Sequence, residues 1–158
     1  MRRRELSGLI ALVVLPLVAC KKSEPATGPG SGSAKAGPVT GAPAPLASKE
    51  YFRVDAGPRT PCAVGATCEA RLVLTALGDY HVNEKYPFKL VDASAPGITI
   101  DGTGNFALDD AKTGTLTVRY TAAKSGSARI SGTFKLSVCT DENCQIESPK
   151  IALDVEAR

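Results

Sequence analysis

Between Ala128 and Val138 the chain places Ala128, Ile130, Gly132, Phe134, Leu136 and Val138 at every second position, with polar side chains between them. A period of two sets all six on one face of an extended backbone, and no helix satisfies it. Leu116, Val118 and Tyr120 repeat the pattern, as do Ile151, Leu153 and Val155. Tyr51–Val54, Ala70–Leu77, Tyr86–Val91 and Gly97–Asp101 are further strand candidates, separated by the turn signals "ALGD", "ASAPG", "DGTGN" and "AKSGS". No segment combines helix caps with a 3.6-residue period. Seven or so short strands without a covering helix predict an all-β fold, an immunoglobulin-like antiparallel β-sandwich. The tryptophan that marks true immunoglobulin domains is absent, and a barrel would satisfy the same alternation.

All of this patterning lies beyond Glu50, which divides the 158 residues into three parts. Residues 1–19 read as a secretion signal: Arg2, Arg3 and Arg4 precede an apolar run, Leu6 to Val18, that is short for a bilayer span. The run ends in "LVAC", and Leu17, Val18, Ala19 and Cys20 resemble the bacterial lipobox, in which the signal is cut before a cysteine that carries diacylglycerol. An ordinary signal peptide is the plainer alternative, and the flanks of "RRREL" fit a twin-arginine signal poorly. Residues 20–49 then form an acylated cysteine and a Pro/Gly/Ala/Ser-rich tether with no aromatic residue. As a flexible coil its low-complexity part would span roughly 28 Å. The sandwich is expected over residues 50–158. Lipidation makes the bilayer a partner through Cys20 and places the domain in the periplasm, and the lack of Asp after Cys20 favours the outer membrane by resemblance to enterobacterial sorting.

The formal charge of +3 does not indicate a nucleic-acid partner. Removing Arg2, Arg3, Arg4 and Glu5 with the signal lowers it, and residues 50–158 carry twelve Lys/Arg against fourteen Asp/Glu. That balance leaves no basic footprint for a phosphate backbone.

With Cys20 committed to a thioether, four cysteines remain, an even number in a compartment where disulfides persist. "CAVGATC" contains Cys62 and Cys68, and "CTDENC" contains Cys139 and Cys144. Three connectivities are open, and closeness across a turn favours the two local pairs. A tetrahedral metal site built from all four is the competing arrangement, although neither spacing is C-x2-C. No cofactor is expected.

A strand leading into two close cysteines, then a proline and a final strand, resembles the N-terminal domain of DsbD, the thiol:disulfide interchange protein. "GDYHVNEKYPFKLV" and "GTLTVRYTAAKSGSARISGTFKLSVC" extend the likeness over residues 69–158. The resemblance implies an immunoglobulin-like periplasmic domain whose cysteine pair exchanges electrons with a separate thioredoxin-like or other envelope protein. Cys139 and Cys144 fall on that redox pair. Tyr80 corresponds to an active-site aromatic, and Phe106 to a cap that shields the pair, or else to a buried loop anchor. The chain departs from the family in having one fewer residue between the cysteines, in lacking the aromatic and prolines after the second, and in carrying the extra pair at Cys62 and Cys68.

The residues themselves leave two readings of Cys139 and Cys144. Asp141 and Glu142 between them disfavour a thiolate, the nucleophile of exchange. A six-residue disulfide loop contributes only about 2 kcal/mol on the chain-entropy model, so the bond has limited value as a staple. The alternative to exchange is a non-catalytic interaction module with purely structural disulfides, including Cys62 with Cys68. His81, the only histidine, is a general base, a copper ligand, or a side chain that fixes its turn by hydrogen bonding.

Overall fold

The computed structural model describes residues 43–158. The signal segment, Cys20 and the greater part of the tether lie outside the described residues.

Ten strands and, among the described residues, no helix make up the domain: β1 (Ala47–Lys49), β2 (Phe52–Ala56), β3 (Thr67–Ala76), β4 (His81–Val82), β5 (Lys89–Ser94), β6 (Ile98–Leu108), β7 (Thr113–Ala122), β8 (Gly126–Cys139), β9 (Cys144–Glu147) and β10 (Lys150–Ala157). One sheet has the order β1-β2-β3-β7-β6. In the other, β8 pairs with β10 and β9 along one edge and with β5 and β4 along the other, every pair antiparallel. Taking β2, β3, β5, β6, β7, β8 and β10 as strands A to G gives A-B-E-D facing G-F-C, the strand order of a constant-type immunoglobulin sandwich.

The alternation read from the sequence becomes the core. Ile130, Phe134, Leu136 and Val138 of β8 are buried against Phe52, Leu72, Leu74, Leu116 and Val118 of the facing sheet. Each such side chain contributes about 2 kcal/mol through burial, which is the main force holding the layers together. The intervening side chains of β8, such as Arg129, Ser131 and Lys135, point away from the core.

β8, β9 and β10 form one long hairpin. The pairs Cys139↔Cys144, Leu136↔Glu147, Thr133↔Lys150 and Gly126↔Ala157 follow a single unbroken register. Pro149 interrupts the outer arm because it has no N–H for the ladder, which an edge strand tolerates. The Phe134 N–H still donates to the Pro149 carbonyl at 2.9 Å, and Lys135 Nζ bonds Ser148 Oγ at 2.9 Å.

Two expectations change. The sandwich begins before Glu50: Ala47–Lys49 pairs with Phe52–Val54, and the Leu46 N–H donates to the Val54 carbonyl at 2.8 Å. The composition of residues 20–49 masked this short edge strand, because Ala and Ser carry no strand signature. "DGTGN" is no turn between strands but a bulge inside β6, where Gly102 and Gly104 take φ of 71° and 90° and the register to β7 shifts between Asp101 and Asn105. Glycine supplies both the turn and the bulge signal, and only partner strands distinguish them.

Candidate functional site

Val138 and Cys139 close β8, and period two decides where each points. Val138 is fully buried in the core, so Cys139 emerges on the outer face of its sheet. "TDEN" then turns the chain back. The Thr140 N–H donates to the Asn143 carbonyl at 2.8 Å, and Thr140 Oγ1 accepts from the N–H groups of Glu142 (3.3 Å) and Asn143 (3.2 Å). This hydroxyl turn brings Cys144 directly opposite Cys139, and the two are disulfide-bonded with Cα atoms 3.9 Å apart. Cys139 is 5% exposed, whereas Cys144 is exposed to solvent. One half of the bond is shielded and the other is open.

His81 lies opposite Cys139 on the other side, in β4. Directly opposed residues of antiparallel strands share a face with Cβ atoms about 5 Å apart. His81, Cys139 and Cys144 therefore form a row of three across β4, β8 and β9 on the outer face. In the next row the Asn83 N–H donates to the Ser137 carbonyl at 3.1 Å and Asn83 Nδ2 to Ser137 Oγ at 3.2 Å, which satisfies a serine with no exposed surface. Opposite Ser137, Ile146 is 66% exposed, the most open large apolar side chain among the described residues.

The inner rim of this pole is ionic and aromatic. Glu147, facing away from the disulfide row, accepts from Lys49 Nζ at 2.6 Å and from the Tyr51 hydroxyl, and so ties β9 to the strands of the other sheet. These hydrogen bonds, Lys49's foremost, hold the Glu147 carboxyl below its ordinary pKa. The hydrogen bond to Glu147 correspondingly raises the Tyr51 phenol. Tyr80 packs on Tyr51 with ring centroids 5.3 Å apart.

Phe106 sits elsewhere. It stacks on Phe88 at 3.8 Å, and Phe88 lies 6.4 Å from Phe134, five positions before Cys139 and about 16 Å along the strand. A Cβ on Gly114 would collide with the Phe106 ring, so the glycine makes room for it. These contacts make Phe106 an anchor between the sheets, and the shielding role over Cys139 and Cys144 is given up.

The second disulfide, Cys62 to Cys68, has its Cα atoms 5.7 Å apart and sits at the far end of the hairpin. Cys62 is 1% exposed and bridges Ala157, the Arg158 N–H donates to the Cys62 carbonyl at 2.8 Å, and the Gly65 N–H donates to the Ala122 carbonyl at 2.9 Å. Beside it opens a cavity of about 200 Å³ whose lining includes Arg59, Arg71, Tyr120 and Leu153. Burial raises the Tyr120 phenol. Ala157 pairs with Gly126 at one end of the fourteen-residue β8 and Cys139 closes the other, so the four cysteines do not converge on one metal.

Sequence reasoning named Cys139, Cys144, Tyr80 and His81 but missed how they stand together. Alternation could have shown that Cys139 faces outward. Nothing in the sequence shows that Glu147 meets Tyr51, 96 residues away, or that His81 meets Cys139.

No protein-family model matches the sequence, and no curated protein matches it. Among solved structures the chain is similar to a crystal structure of the yeast GGA1 GAE domain, with a TM-score of 0.45 and 12% identity over 70% of this chain and 96% of that one. At that score the likeness carries no functional argument, and the resemblance to the DsbD N-terminal domain gains no support from these comparisons. What stands is an immunoglobulin-like β-sandwich closed by two local disulfides.

Proposed function

We propose that this chain is a lipid-anchored envelope protein whose sandwich exchanges thiol and disulfide with a separate thioredoxin-like partner through Cys139 and Cys144. One observation carries the reading: the exposed Cys144 is joined to the shielded Cys139 at the closed end of a hairpin that the β8 to β10 register already holds. Reduction there removes a covalent link without requiring a strand to leave the sheet. The pair can thus cycle in the folded state, as an exchange module needs. The likeness of "SVCTDENC" and its flanks to a redox domain supports the same reading, and the lipobox-like "LVAC" supports anchoring through Cys20.

A second reading rests on Ile146. An open isoleucine beside an acidic turn suits a protein contact with no chemistry, both disulfides then being structural.

The two diverge in a trapping experiment. Attack on Cys144 expels Cys139, so Cys139→Ala in the full chain should accumulate a mixed disulfide through Cys144 with a thioredoxin-like envelope protein, seen on non-reducing gels. The Cys139→Ala/Cys144→Ala chain should show none. If Cys139→Ala stays an unconjugated thiol in its own host, the interaction-module reading replaces exchange. Anchoring is tested separately: Cys20→Ala should release the protein from membranes, and secretion of the wild-type chain as a free soluble protein would end the lipoprotein reading.

A further inference from the structure

We infer that His81, when protonated, is the charge partner of the Cys139 thiolate and makes Cys139 the leaving sulfur of the exchange. This rests on the proposed exchange and assigns chemistry to a residue the sequence left between base, ligand and turn support. The register sets His81 directly opposite Cys139, and Cys144 opposite Cys139 on the other side, all on one sheet face. Cys139 thus has His81 as its cross-strand neighbour on one flank and its bonded partner on the other. Cys144 belongs to an edge strand and borders the acidic turn of Asp141 and Glu142.

The chemistry follows from that asymmetry. A thiolate of a dithiol reductant attacks the exposed Sγ of Cys144, forming a mixed disulfide and breaking the Cys139–Cys144 bond. The bonding electron pair leaves with Cys139 as a thiolate, beside the imidazolium. The second thiol of the reductant then attacks the mixed disulfide and releases Cys144. Two electrons pass to the cysteine pair, the reductant ends as a disulfide, and two protons complete the thiols. An adjacent cation lowers the pKa of a leaving thiol, and a lower leaving-group pKa speeds the exchange.

Asp79, Glu84 and Lys85 flank His81 on its own segment, and Asp141 and Glu142 stand in the turn that follows Cys139. Lys112, from the turn between β6 and β7, spends its ammonium on the carbonyls of Gly78 (2.7 Å) and Tyr80 (2.5 Å), with Asp110 at the base of the same turn. Among these groups, histidine is the type of side chain that changes charge between pH 5 and 8.

The test is the pH profile of reduction of the full chain by dithiothreitol, each rate divided by the concentration of dithiothreitol thiolate. For wild type the normalised rate of opening Cys139–Cys144 should rise about fivefold from pH 8 to pH 5.5. In His81→Gln the profile should be flat. In His81→Lys, whose cation persists, it should be flat at the higher value. A flat wild-type profile, or one that His81→Gln leaves intact, overturns the inference. The proposed exchange falls separately, through the reduction potential of the pair, which these rates do not fix.

Discussion

The two disulfides close loops of nearly equal length, and each joins a buried cysteine to a more open one, yet their surroundings differ. Cys62 is buried, bridges the last strand and lies in an irregular segment outside the strand ladders, whereas Cys144 is open and caps a hairpin whose arms are paired to their ends. Chain entropy, counted by loop length, gives each bond about 2 kcal/mol and cannot separate them. The native context separates them. A reductant reaches the exposed Cys144 directly, whereas at the other bond its access is through the half-buried Cys68, and the departing Cys62 thiolate forms in the apolar core.

The largest difference should therefore be kinetic. Under graded treatment with a thioredoxin-like reductant, Cys139–Cys144 should open about 100-fold faster than Cys62–Cys68 in the folded protein, as read by alkylation and peptide mapping. Equal rates, or the reverse order, would erase the contrast.

Stability should show the opposite ranking. Cys62→Ala with Cys68→Ala should cost about 4 kcal/mol in denaturant unfolding, because Cys62 belongs to the hydrophobic core and its packing is lost along with the cross-link. Cys139→Ala with Cys144→Ala should cost about 2 kcal/mol, chiefly the cross-link, because Cys139 is covered on the outer face and lies outside the core cluster. Should the second pair of substitutions prove the costlier, Cys139–Cys144 would be the structural bond.

At the hairpin pole, non-covalent ties through Glu147 already join β9 to the facing sheet. Glu147→Gln should cost about 1 kcal/mol at neutral pH. Folding lowers the Glu147 pKa, chiefly through the Lys49 hydrogen bond. Its contribution is accordingly complete above the ordinary glutamate pKa of about 4.3 and is lost as pH falls through the lower folded value. The gap between wild type and Glu147→Gln should close in that acid window, and a gap that persists below it would mean the side chain acts by packing alone. The smallest effect belongs to Ile146→Ser, within about 0.5 kcal/mol, since the side chain is two-thirds exposed already. A larger loss would show that Ile146 supports the hairpin.

The sequence carried the period-two strands of β7, β8 and β10 because a half-buried sheet demands that alternation. It also carried the local pairing of the cysteines, through turn chemistry. Where local signals are shared by two structures, it could not decide: the glycines of "DGTGN" suit a turn as well as the bulge in β6. Short, weakly apolar Ala47–Lys49 gave no signal, since its place depends on β2. The site was legible by halves. Cys139 and Cys144 are neighbours in the chain, whereas His81 comes opposite Cys139 only through strand pairing and Tyr51 meets Glu147 only through the packing of one sheet on the other, and Phe106 packs against the core because Gly114 leaves space for its ring.

Redox titration of the full chain in thiol/disulfide buffers, with each cysteine pair followed by mapping, separates an exchanging bond from a structural one. Exchange through Cys139–Cys144 requires a potential well above about −300 mV for that pair, with Cys62–Cys68 below it. Two potentials both below that value would contradict it and leave a sandwich held by two structural bonds.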